Sequence, residues 1–173
     1  MSVITNRFNK QINWSTLVLF TLGFWLSGSL ILDFVIIPSL FASGMMAESG
    51  FAGTGYLIFG VFNRIELICG ALVASSFLIF HRNHNLTNKQ EPWAMILAIA
   101  MLTIATIYTY ILTPQMSGLG MQLNMFSPVT EMSAAMISLH WIYWVLEAVK
   151  LLAGAVLLRW SYHNSFSMEH SET

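Results

Sequence analysis

Apolar residues fill four long stretches of this chain, and polar residues gather between them. The stretches cover residues 14–41, about 56–80, 93–112 and about 136–160. Each is long enough to cross the roughly 30 Å hydrocarbon core of a bilayer, which takes about 20 helical residues. None alternates apolar and polar positions as the strands of a membrane β-barrel do. A backbone in lipid must satisfy its own hydrogen bonds, which favours helices. The pattern predicts an all-α, polytopic membrane protein. Its four-transmembrane-helix bundle spans residues 14–160, between tails 1–13 and 161–173. Segment 113–135 contains Pro114, Gly118, Gly120 and Pro128, which predicts a loop rather than a continuing helix. Segment 42–55, rich in Gly and Ser, is expected to be a flexible connection.

Composition supports this reading. The chain has 173 residues, which suggests one domain. Apolar residues make up 56% and charged residues 9%, against about a quarter charged in a soluble domain. So little charge cannot cover a surface in water, and lipid is the expected solvent. A net charge of −1 offers no basic stripe, so no nucleic-acid partner is expected. The expected partner is the lipid bilayer, with a homo-oligomer or a larger membrane complex left open. The single cysteine, Cys69, allows no intramolecular disulfide and gives no redox compartment. The first apolar run is about twice the length of a signal-peptide core, so it is read as a retained span.

Lysine and arginine set the expected orientation. Arg7, Lys10, Arg82, Lys89 and Arg159 fall at one set of span ends, and segments 42–55 and 113–135 have none. The asymmetry predicts that both termini are cytoplasmic, in a bacterial-type plasma membrane or another internal membrane. Trp14, Trp93, Trp160 and Tyr162 fit interfacial anchors.

Against this background the ionisable residues inside the spans stand out. At about 1.5 Å per residue, Lys150 lies about 15 Å up its helix from Trp160, near the midplane. Asp33, Arg64, Glu66, His140 and Glu147 all fall in the half remote from the termini. Helical spacing puts His140, Tyr143, Glu147 and Lys150 on one side of the fourth span. It puts Asn63, Glu66 and Gly70 on one side of the second, with Arg64 nearly opposite. Thr103, Thr106, Tyr110 and Thr113 share a side of the third, which suggests another inward polar stripe. Charges in lipid are costly, so they face the bundle interior and pair. The expected pairs are Asp33 with Arg64, and Lys150 with Glu147 or Glu66. Two readings stay open: groups that only hold the bundle together, or a polar pocket open to the outer face and formed by Asp33, Arg64, Glu66, His140, Tyr143, Glu147 and Lys150.

Methionines raise a second possibility. Met132, Met136 and His140 are spaced by four and would line one helix face, with Met116, Met121 and Met125 before them and Met45 and Met46 on the other connection. Thioethers and imidazole suit Cu(I); equally, methionine is a flexible apolar filler. His140 is the one histidine within a span, so haem would need a second ligand from a methionine or another chain. His81 and His84 lack a nearby Cys or carboxylate. Gly53 and Gly55 follow no strand, so they make no phosphate loop. Asp33, Glu66 and Glu147 could do acid–base work, but no nucleophile accompanies them.

Several stretches carry a family resemblance: "GSLILDFVIIPSLF" (28–41), "IFGVFNRIELICGAL" (58–72), "YTYILTPQMSGL" (108–119) and "SLHWIYWVLEAVKLLAG" (138–154). Together they resemble the four-helix membrane proteins related to transmembrane protein 205, a domain of unknown function, over about residues 14–160. Pro38, Arg64, Thr113, Pro114 and His140 are the family-like positions. Glu147 and Lys150 depart from the amide that the family has after its histidine. A more distant likeness is to copper-resistance membrane proteins and to a four-helix haem-pathway oxidase, whose first-span histidine is absent here. The resemblance implies a four-helix fold and no settled activity. The expected function is non-enzymatic: a small ligand or ion in a polar outer-facing pocket, or an accessory subunit of a membrane complex. The alternative is a copper- or haem-binding redox or metal-handling protein. No cofactor is predicted.

Overall fold

A computed structural model describes residues 14–45, 50–82, 91–126 and 134–169. The side chains at 80–82, 91, 122–126 and 164–169 lie outside that description. The elements are helices α1 (Trp14–Ile31), α2 (Ile37–Ala42), α3 (Phe51–Arg82), α4 (Glu91–Ile107), α5 (Thr113–Phe126) and α6 (Ala134–Glu169). A π turn at Leu32–Ile36 joins α1 to α2, and another at Tyr108–Leu112 joins α4 to α5. Among the described residues there is no strand. Four helical runs are long and apolar enough to cross a membrane: Trp14–Ala42, Phe51–Ile79, Pro92–Met121 and Ala134–His163. The chain is a multi-pass membrane protein.

Contacts along the helices fix the topology. Trp25 and Ser29 of α1 reach Glu66 of α3, and Asp33 meets Tyr143 of α6. Further down, Gly154 of α6 packs on Leu26. On the other side Gly70 of α3 packs on Leu102 of α4, while Asn63 meets Thr113. Rising numbers on one helix meet falling numbers on its neighbour, so sequential spans are antiparallel. α1 packs on α3 and α6, and α4 packs on the same two helices. The backbones of the diagonal pairs, α1 with α4 and α3 with α6, do not approach closely among the described residues. The bundle is therefore a square, and its axis lies between the diagonals.

Each helix presents one face inward at intervals of three or four residues. In α4 that face is Ala94, Ala98, Met101, Ala105 and Tyr108; its three alanines let neighbouring backbones approach closely. Val18, Leu22, Val73, Phe77 and Leu157 complete a dry apolar core in the half nearest Trp14. Only 28–33% of each span's most apolar window is buried inside the bundle. The rest, including Phe20, Phe24, Leu57, Ile68 and Leu152, is apolar and exposed, as expected of a surface solvated by lipid.

Segment 113–135 differs from expectation. It is helical through Phe126, because α5 continues the third span. Pro114 lacks an N–H and would collide with the carbonyl four residues earlier in a regular α-helix. The π turn before it widens the backbone, with the Thr113 N–H bonded to the Tyr108 carbonyl, five residues back. Pro38 stands at the same offset after the first π turn, where the Ile37 N–H bonds the Leu32 carbonyl. Helix α3 begins at Phe51 rather than near residue 56, and α6 continues to Glu169, so the 161–173 tail is helical for most of its length. Between α2 and α3, Gly44 (φ 72°) and Gly50 (φ 99°) take left-handed conformations that favour glycine. Arg7, Lys10 and Lys89, on which the orientation rests, lie outside the described residues, as do Met46, His84, Pro128 and Met132.

At Gly70 a side chain would meet Leu102 Cδ1 at 3.1 Å, Leu102 Cα at 3.3 Å and the Trp25 ring at 3.3 Å. Gly70→Val should overpack this crossing and cost about 1–3 kcal/mol of stability. Unfolding in mixed detergent micelles measures the loss; an unchanged unfolding midpoint would show that α3 and α4 do not meet there.

Candidate functional site

Above the apolar core, four buried ionisable side chains converge on the bundle axis. Asp33 is 2% exposed, and Glu66, Glu147 and Lys150 are each 1% exposed. Their positions follow from the inward faces of their helices. Asn63, Glu66, Cys69 and Val73 succeed one another on α3, and Glu147, Lys150, Ala153 and Leu157 on α6. On α1, Trp25, Ser29 and Asp33 are spaced by four.

Lys150 is the centre. Its ammonium contacts the Glu66 carboxylate across the bundle and lies 2.8 Å from Glu147 Oε2, one turn back on its own helix. It also sits 5.1 Å from the centroid of the Tyr108 ring, a cation–π distance. Glu66 Oε1 additionally accepts from Trp25 Nε1 at 2.8 Å and from Ser29 Oγ at 3.1 Å. The Tyr108 hydroxyl lies 3.1 Å from both Glu147 Oε2 and the Tyr143 carbonyl. The Tyr143 hydroxyl donates to Asp33 Oδ1 at 2.5 Å. Asp33 and Glu147 lie within each other's electrostatic reach. Aromatic rings wall the cluster: Tyr143 stacks at 5.1 Å on Tyr108, and Phe59 and Trp144 meet Tyr143 edge-on.

One oxygen of each carboxyl has no hydrogen-bond partner among the described residues: Asp33 Oδ2, Glu66 Oε2 and Glu147 Oε1. Three carboxyls against one ammonium leave the cluster two negative charges in excess if all are ionised. Uncompensated charge in an apolar interior costs several kcal/mol. The arrangement therefore has both the charge and the open lone pairs to hold a further cation.

The two π turns supply part of this site. Asp33 lies in the first and Tyr108 opens the second. On the side toward Trp14 the cluster is sealed. Gly154 lets Leu26 and Met101 close directly beneath Lys150, and Leu22, Phe77 and Leu157 are almost fully buried below. On the opposite side the next polar contacts are Asn63 Nδ2 to Thr113 Oγ1 at 2.7 Å and Thr109 to Asn63 O at 3.5 Å.

Of the residues expected in the pocket, Asp33, Glu66, Tyr143, Glu147 and Lys150 come together, and Lys150 takes both candidate partners. Arg64 does not join them. It is exposed, and Asp33 pairs with Tyr143 instead, because residues two apart on α3 face nearly opposite ways. His140 stands apart, half-buried, with Nδ1 2.9 Å from the Met136 carbonyl. A carbonyl only accepts, so Nδ1 is the donor, and in the neutral ring Nε2 is then the nitrogen with the lone pair. The ring lines a wide groove with Ile137, Trp141 and Trp144. Met136 is buried nearby, Met45 and Met121 are exposed, and the Met125 side chain lies outside the description. Among the described residues no three His, Cys, Asp or Glu converge closely enough to hold a metal ion. The third-span stripe is also corrected. Thr103, Thr106 and Tyr110 are exposed, and the two threonines donate to the carbonyls of Ile99 and Leu102, four residues back. A threonine satisfied in this way can face lipid.

Residues 20–125, more than half of the chain, match the family described as a domain of unknown function, DUF4149. The chain belongs to that family. No curated protein and no solved structure matches it.

Replacing Lys150 by Met would leave Glu66 and Glu147 buried without their ammonium. The loss should be about 3–5 kcal/mol, the usual cost of breaking a buried ion pair from one side. Adding Glu66→Gln to that variant should recover part of it in detergent unfolding, because one uncompensated charge is then gone.

Proposed function

We propose that the protein is a non-enzymatic integral membrane protein whose carboxyl–lysine cluster binds a small cation, and that this cation is the proton. One observation carries the reading: three carboxyls, each at most 2% exposed, converge where there is one ammonium, which contacts two of them, and each keeps one oxygen without a partner among the described residues. Protonating one or two of them brings the cluster toward neutrality without adding volume.

Access is one-sided in this reading. Among the described residues the packed core between Lys150 and Trp14 holds no buried ionisable side chain, only the hydroxyls of Thr21, Ser76 and Ser161, whereas Asn63, Thr109 and Thr113 continue the polar path toward the other face. With both termini cytoplasmic, as the lysine and arginine distribution suggests, the site would sample the outer face. A kinship with the transmembrane protein 205 family, and more distantly with copper-resistance proteins, rests on the motifs around Pro38, Arg64, Thr113-Pro114 and His140. A copper or haem reading would have to start from the His140 lone pair and its Trp-lined groove, away from the cluster.

Infrared spectroscopy of the protein in liposomes tests the proposal. At neutral pH a protonated carboxyl band should be present, and Asp33→Asn or Glu147→Gln should remove or shift it. Raising the pH should abolish the band and change the fluorescence of Trp25, which donates to Glu66. A folded protein with no protonated carboxyl at neutral pH would overturn the proton reading. A Trp25 response to sodium at fixed pH would replace the proton with a metal cation.

A further inference from the structure

A second feature lies beside the cluster. The first π turn and Pro38 direct α2 away from the bundle, so that α2 packs on the π turn and on no other helix. Between α2 and the start of α3 this leaves a cavity of about 250 Å³. Ile37, Leu40, Phe51, Ile58 and Phe59 are among the apolar residues of its wall, which also includes Thr54, with Gly55 at its side. It lies within the lengths of two membrane spans. The flanking Phe34, Val35, Phe41 and Leu57 are exposed apolar residues.

We propose that this cleft is a binding site for one hydrocarbon chain of a membrane lipid, which enters laterally between α2 and α3. The solvent at its mouth decides the occupant. An apolar cavity does not hold water, which needs polar partners. A void of this size would forfeit the dispersion contacts of its whole lining. The medium touching the flanking residues is acyl chain, and a flexible chain is the one component of it thin enough to slip between two helices. Its inner wall is also informative. Phe59 lines the cleft and meets Tyr143 edge-on, with centroids 6.4 Å apart, and Tyr143 holds Asp33. Occupancy of the cleft thereby bears on the Asp33–Tyr143 bond. That coupling rests on the proton reading; chain binding itself does not.

The test uses the full-length protein in liposomes containing a phosphatidylcholine with a photoactivatable diazirine on one acyl chain, with adducts mapped by peptide mass spectrometry. Ile37, Leu40 and Ile58 should be labelled several-fold above Ile68 and Leu152, which are exposed on the outside of the bundle. A side chain at Gly55 would point into open space, with nothing within 4 Å of its Cβ. Gly55→Leu should therefore fold normally and fill the cleft. It should abolish the excess labelling in the cleft, leave Ile68 and Leu152 unchanged, and shift the pH at which the protonated carboxyl band is lost. Cleft labelling no higher than at the controls, or unaffected by Gly55→Leu, would show ordinary lipid-facing surface and overturn the site. Cross-links from the cleft to a second copy of the chain would overturn it too. Labelling that behaves as expected while the carboxyl band stays fixed would overturn only the coupling through Phe59. A missing carboxyl band in the natural sequence would overturn the proton reading and leave the labelling result standing.

Discussion

The contact between Lys150 and Glu66 is the one on which the interior depends. Helices α3 and α6 are diagonal in the bundle, and their backbones do not approach closely. This ion pair joins them at the axis, beside the edge-on contact of Phe59 with Tyr143. Glu147, one turn from Lys150, ties the same ammonium back to its own helix, and through Tyr108 to α4. Trp25 and Ser29 tie Glu66 to α1. All four spans are thus connected through one buried ammonium. An apolar quartet of the same volume could fill the space, often with equal or better stability. What an apolar quartet could not supply is the surplus of two carboxyl charges over the single positive one.

The two π turns explain how so much polarity is brought to one level. Pro38 and Pro114 each stand two residues beyond such a turn. In each span the extra residue relieves the proline and re-aims the helix just where Asp33 or Tyr108 must face the axis. π turns recur at functional sites because they change the direction of side chains without ending the helix. The outcomes differ beyond the turn. α5 returns to pack on α3, while α2 stays apart and leaves the cleft.

Much of this was legible in the sequence. Continuous apolar length set the four spans, and spacing by four and then three residues put Tyr143, Glu147 and Lys150 on one face. Glu66 followed because a buried carboxyl needs a partner, and Lys150 offered one at the right depth. Trp25, Ser29 and Tyr108 were not foreseen, because tryptophan, serine and tyrosine are ordinary in membrane helices. The interval of four among Trp25, Ser29 and Asp33 was the available signal. The pairing of Asp33 with Arg64 was read from depth alone, and depth does not fix the helical face. The threonine stripe misled because a hydroxyl bonded to the carbonyl four residues back no longer demands a polar neighbour. Pro114 read as a breaker because a π turn leaves no mark of its own in sequence.

The vertical order of the interior decides what kind of protein this can be. A passage across the membrane needs exchangeable polar groups at every depth. Here the buried ionisable side chains stop at Lys150, and among the described residues the buried polar groups below it are the hydroxyls of Thr21, Ser76 and Ser161. Below it Gly154 admits Leu26 and Met101 so closely that a Cβ on the glycine would lie 2.6 Å from Leu26 Cδ2. Leu22, Leu157 and Phe77 continue the seal. Nothing in that packing resembles a second entrance. On the other side Asp33, Tyr143 and Phe59 stand in sequence between the cluster and the cleft beside α2. An interior that is polar on one side and close-packed on the other suits a site that fills and empties from a single face. In the proposed reading its occupancy would report the conditions at that face, and the cleft would give the surrounding lipid a route to influence it.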